Sequence, residues 1–135
     1  MTAAHYDTVA EGRRHFKELL DAAETGIPAV VDRHSFRAAV VDGDRLRHSL
    51  AAGRPARADV VSADGGGAVI LPGLPLAAEG ATFDEALDDM VTVLREYGED
   101  WTQRLRHAPN HQGNWDLVQL VNLSTDAQLK EWISA

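Results

Sequence analysis

Residues Thr8–Val41 read TVAEGRRHFKELLDAAETGIPAVVDRHSFRAAVV, and the fold of the front of the chain turns on how this stretch is parsed. Thr8 followed three residues later by Glu11 is a capping-box pattern that opens a helix. Val9, Phe16, Leu19, Leu20 and Ala23 then recur at helical spacing, while Arg13, Arg14, Lys17, Glu18 and Asp21 fall elsewhere on the cylinder. Gly26 suits the left-handed end of that helix and Pro28 forbids its continuation. AVVD (Ala29–Asp32) and RAAVV (Arg37–Val41) are rich in β-branched residues and read as two strands about a His34–Ser35 turn. Upstream, His5–Thr8 supplies a short edge strand. Downstream, Asp42-Gly43-Asp44 breaks the second strand, and Asp44 caps a short helix over Arg45–Ala52. The expected order is β-α-β-β-α.

Ala51–Ala58, AAGRPARA, interrupts both the helical and the strand period and marks the boundary between two units, residues 1–54 and 55–135. In the second unit, ADVVS and AVILP flank a glycine-rich hairpin, ADGGG; LPGLP turns the chain, and LAAEG forms a third strand. TFDE (Thr82–Glu85) is a second capping pattern. Phe83, Ala86, Leu87, Met90, Val91, Leu94, Tyr97 and Trp101 continue it as a wide apolar stripe. HAPNHQGN reads as a loop, and WDLVQLVNL (Trp115–Leu123) alternates as a returning strand. TDAQLKEWI closes with a short helix whose apolar side is Leu129, Trp132 and Ile133. The second unit is therefore expected as β-β-β-α-β with a C-terminal helix, and the whole as α+β.

The 135 residues carry a net charge of −8 and no cysteine, which excludes a disulfide framework and thiolate chemistry. The charge is uneven. Residues 1–54 hold eight acids and eight bases, whereas 55–135 hold thirteen acids and five bases, so the whole excess falls in the second part. Clustered bases in front and acidity behind point to two partners of opposite charge. No apolar run is long enough to span a bilayer, and the N-terminal residues show no apolar targeting core, so a cytoplasmic location without a membrane partner is expected.

Thr8–Val41 resembles the Phd/YefM (prevent-host-death) antitoxins. Glu11 and Arg13 match the family's helix opening, Leu19-Leu20 its middle, Arg33 the strand-end arginine, and Ala39, Val40 and Val41 the second strand. Ser35, Phe36 and Arg37 depart from the glycine, basic residue and proline usual at the family's turn. The resemblance implies a dimer that binds operator DNA, with Arg13 and Arg33 as its contacts. Arg14, Lys17, His34 and Arg37 join them by charge and position. Guanidinium forks suit phosphates and guanine edges, and a two-fold dimer offers two such patches. A fifty-residue unit closes a poor core on its own, so Val30, Phe36 and Val40 are expected partly at the dimer interface.

Ala58–Tyr97 is similar to HicB-type antitoxin domains. The positions that fit are Pro72, Gly73, Gly80, Thr82, Glu85, Ala86 and Leu87; Leu74 stands where a cysteine or small residue is usual. That likeness implies a degenerate nuclease fold that binds a toxin without chemistry.

Catalytic candidates are few. His107 and His111 have a zinc-like spacing, but Pro109 and Gly113 place them in a loop with no third ligand nearby. Asp84, Asp88 and Asp89 are explained by the helix dipole. No nucleophile elbow, Walker A or dinucleotide fingerprint occurs, so no enzyme, metal or cofactor is expected. The reading is a type II antitoxin that binds a protein toxin (RelE/YoeB-like, Doc-like or PIN-domain) through its acidic unit. It represses its own operon as a homodimer or higher oligomer. A stand-alone regulator of the same fold and a metal-dependent nuclease are the alternatives.

Overall fold

A computed structural model of the chain describes residues 4–63, 65–74 and 76–135; Asp64 and Pro75, within two of the expected turns, lie outside them. The chain is α+β, with two three-stranded sheets and six α-helices among the described residues. It divides into two compact units between Leu46 and Arg47.

The first unit opens with β1 (His5–Tyr6), then α1 (Val9–Arg14), α2 (Phe16–Glu24), β2 (Ala29–Arg33) and β3 (Phe36–Val40). The expected helix is thus two helices, parted at His15, whose φ of −112° leaves the α region. Thr8 caps α1 as expected, its Oγ1 accepting from the Glu11 N–H at 3.1 Å. Glu11 does not return the bond; its carboxylate pairs with Arg14. β1 runs parallel to β2, and β2 pairs antiparallel with β3, in the order β1-β2-β3. Leu19, Ala22 and Ala29 form the small core, with Ala4, Tyr6, Val31 and Val40 packed against it. Phe16 and Leu20 were expected to share the buried stripe. They are 57% and 47% exposed instead, because the face α2 buries is Leu19, Ala22 and Ala23.

α3 (Gly43–Gly53) follows, started by the Asp42 side chain, which accepts from the Arg45 N–H at 3.0 Å; the cap is Asp42, not Asp44. In the second unit, β4 (Asp59–Ala63), β5 (Gly66–Leu71) and β6 (Leu76–Gly80) form an antiparallel sheet in that order, as the sequence led one to expect. α4 (Phe83–Gln103) packs on β5 and β6. Six of its stripe residues, Ala86, Leu87, Met90, Val91, Leu94 and Tyr97, are buried; Phe83 stays 44% exposed.

The expected returning strand is a correction. Trp115–Leu123 is a helix, α5, and not the last strand of a β-β-β-α-β unit. Leu117, Val118, Leu120 and Val121 are buried, a one-three-four spacing that belongs to a helix. Two 3₁₀ turns, Leu105–His107 and Gln112–Asn114, lead into it. α6 (Asp126–Ser134) closes the unit behind a full capping box of Thr125 and Gln128. Arg95 ties the α5 terminus down by donating to the carbonyls of Val121 (2.6 Å) and Ser124 (2.9 Å), among the last carbonyls of a helix, which lack i+4 partners.

Residues 47–54, grouped by the sequence with the first unit, pack with the second. Leu50 and Ala51 lie against its core. Arg54 donates to Asp116 at 2.6 Å and Asn114 at 2.9 Å, and its carbonyl accepts from Trp132 Nε1 at 2.9 Å.

Candidate nucleic-acid interface

α1 packs closely on the Val31 side chain of β2 at Gly12. A Cβ on the buried Gly12 would come within 3.0 Å of both Val31 methyls, so the helix crosses β2 at Val31, while α2 crosses near Ala29. Arg13, Arg33 and His34 are all exposed. His34 is the first residue of the two-residue hairpin loop and holds φ 54°, a conformation costly for a side chain without local compensation. Arg33 lies over the Phe36 ring at 5.6 Å from its centroid, which orients a guanidinium while leaving its donors open.

The six basic candidates separate by pairing. Arg14 is held by Glu11, Lys17 by Asp21 at 2.8 Å, and Arg37 by Asp32 at 3.7 Å. The hydrogen bond from Lys17 to Asp21 raises the lysine above its ordinary pKa. Arg13 and Arg33 have no ion pair among the described residues. They are the two that the sequence resemblance puts first. Exposed pairs of this kind contribute little to stability, so an approaching phosphate competes for the other three at small cost.

The proposed interface trio is not brought together. By the ladder, Val30 shares a sheet face with His5, Asp32, Arg37 and Ala39, whereas Val40 faces α2 and Phe36 lies on that same side at the hairpin tip. Sequence reasoning also missed His5. Parallel pairing of β1 with β2 puts its Nε2 2.7 Å from Asp32 Oδ2 and 3.6 Å from Asp7, although Asp32 is far along the chain. One ligand atom from each lies within 4.8 Å of the others, the single such grouping of three found among the described residues. His5 and Asp32 satisfy each other as a hydrogen-bonded pair.

In the second unit His107 is exposed, and His111 accepts or donates at Nδ1 with Tyr97 Oη at 2.9 Å, so the two histidines do not converge on a ligand site. Asn114 Nδ2 donates to the same Tyr97 oxygen at 2.8 Å, which makes this a packing network. The acids of α4 are largely engaged. Asp88 and Asp84 hold Lys130 at 2.8 and 3.0 Å, and these hydrogen bonds raise Lys130 above its ordinary 10.5. The raised value favours the folded state while the amine is charged. That contribution is fully present below 10.5 and is lost as pH climbs through the raised value. Alkaline melting curves of wild type and Lys130→Met should therefore converge as pH rises through that window. Among the described residues, no helix is long and apolar enough to cross a membrane.

No protein-family model matches the chain, and no curated protein matches it. Among solved structures it is similar to a crystal structure from Syntrophomonas wolfei subsp. wolfei, described as an antitoxin part of a proposed toxin/antitoxin system. The likeness spans 98% of this chain and 96% of that one, with a TM-score of 0.75 at 20% identity. At that identity the comparison establishes a shared α+β fold.

Proposed function

We propose that the chain is the antitoxin of a type II toxin–antitoxin pair, neutralising a toxin by direct binding and repressing its own operon. The observation that carries this is the full-length likeness, at a TM-score of 0.75, to a protein described as an antitoxin. The first unit is the DNA-binding and dimerising part, in keeping with its Phd/YefM-like sequence. Arg13 and Arg33 are its primary contacts, and Arg14, Lys17, His34 and Arg37 support them. Val30, Phe36 and Val40 contribute to the dimer contacts, Val40 while also packing against the protomer's own core. The second unit is the toxin-binding part. The chain performs no chemistry of its own in this reading and acts in the cytoplasm.

The DNA arm is tested by titrating the protein's own promoter and random DNA at two salt concentrations. Arg33→Ala should lose about 1–3 kcal/mol for each contact that reads a base edge, and a dimer carries two. If Arg33 touches phosphate alone, affinity for both DNAs should fall together and the salt dependence should flatten by about one charge per contact. An Arg13→Ala/Arg33→Ala protein that binds the promoter as well as wild type would reassign the contacts. A wild-type protein that ignores its promoter, with and without toxin, would remove repression from the account.

A further inference from the structure

α4 covers one face of β5 and β6 but not of β4, whose Val60 on that face is 55% exposed; the opposite face of the sheet is also exposed. On the covered face Val69 and Ala78 are 0% and 2% exposed. On the opposite face the register sets out two rows across the three strands, Asp59–Ile70–Ala77 and Val61–Ala68–Glu79. Val61 is 47% exposed and Ile70 37%, and neither belongs to the unit's core. The patch is thus an apolar centre with an acid at each of two diagonal corners, and it contains no base.

The two acids differ from five of the seven on α4. Glu85 accepts from the Ala81 N–H at 2.9 Å, Asp89 from the Glu79 N–H at 3.2 Å, Asp84 and Asp88 hold Lys130, and Asp100 pairs with Arg104. The Asp59 and Glu79 carboxylates have no hydrogen-bond or ion-pair partner among the described residues. Glu96 and Glu99 of α4 also have no partner among the described residues; what sets Asp59 and Glu79 apart is that they flank the exposed Val61 and Ile70. Exposed β-branched and aliphatic side chains joined in one patch mark an interaction surface, and the charge decides what fits it.

We propose that this outer face docks a cationic amphipathic helix of a partner protein. The proposal rests on the antitoxin reading and names the surface that the toxin meets. Two strand spacings of about 4.8 Å and two residues of rise at about 3.3 Å put the corners about 12 Å apart. A helix rises about 1.5 Å per residue, so bases seven positions apart lie about 10.5 Å from each other on one side. Positions three and four beyond the first base lie between them on the same side. A helix with a base at each end of that span and an apolar pair between matches Asp59, the Val61–Ile70 centre and Glu79 together.

The test uses a synthetic helical peptide with lysines seven apart and leucines at the two intermediate positions, titrated into the full-length ¹⁵N-labelled protein. A control peptide of equal composition has its lysines four apart. Amide shifts should concentrate in β4, β5 and β6. Affinity should fall at least about tenfold for the control peptide and for Asp59→Lys/Glu79→Lys, and stay unchanged for Glu96→Lys/Glu99→Lys. No binding, indifference to lysine spacing, or loss confined to the α4 variant would overturn the proposal. A growth arm separates it from the antitoxin reading. If wild type and Asp59→Lys/Glu79→Lys relieve arrest by the adjoining gene's product equally, the surface is wrong and the antitoxin reading stands. If wild type relieves nothing while the peptide results hold, that reading fails and the surface stands.

Discussion

Leu94→Ala is expected to lower the unfolding free energy by about 2–5 kcal/mol. Leu94 is fully buried in the middle of α4, within the cluster that joins the sheet to α5 and α6. Truncation removes its transfer free energy and leaves a cavity between rigid elements that cannot collapse onto it. Small domains are stable by only about 5–15 kcal/mol, so this one change removes a large share. Urea unfolding should show a lower midpoint with an unchanged slope. A loss below about 1 kcal/mol would mean that α4 is not packed on β5 and β6 as described.

Gly80→Ala should come next, at about 3 kcal/mol, by the opposite mechanism of overpacking. A Cβ at this position would lie 2.4 Å from the Ala86 nitrogen and 2.7 Å from the Glu85 carbonyl carbon, both backbone atoms of the first turn of α4. A flexible side chain can step aside; this turn cannot. It is held by the Thr82 hydroxyl accepting from Glu85 at 3.1 Å and by the Ala86 N–H donating to Thr82 at 3.0 Å. Relief requires either the strand end or the capped helix start to move. Gly53→Ala is the control, since a Cβ there meets nothing within 4 Å. It should be neutral or stabilising by up to about 1 kcal/mol, because a helical glycine gives way to the better helix former. Equal losses at both glycines would contradict the close-approach explanation.

Much of this architecture was legible in local patterns. The three strands of the second sheet, the long α4 stripe and the Thr8 and Thr82 caps follow from β-branched runs, helical spacing and short-range hydrogen bonding, all of which act over a few residues. Trp115–Leu123 was misread because a nine-residue apolar run fits both periods; what decides is the core formed by α4 and α6, which lies outside the run. Phe16 and Leu20 show the converse limit. Their spacing is helical, but the face that α2 buries is Leu19, Ala22 and Ala23. The His5–Asp32 pair was invisible because it depends on a parallel pairing of distant residues. Nor does spacing say which face of a strand meets a helix; the ladder puts Val30 and Val40 on opposite faces. At the candidate interface, residue type and family pattern singled out Arg13 and Arg33. The structure adds that Arg14, Lys17 and Arg37 are already paired with carboxylates.

The central claim, that this chain restrains a toxin, is tested most directly by expressing the product of the adjoining gene with and without it. The account predicts growth arrest by that product alone, growth restored when this chain is co-expressed, and recovery of the two as one complex from a single-tag purification. Arrest that persists in the presence of folded, abundant wild-type protein, with no complex recovered, would contradict it.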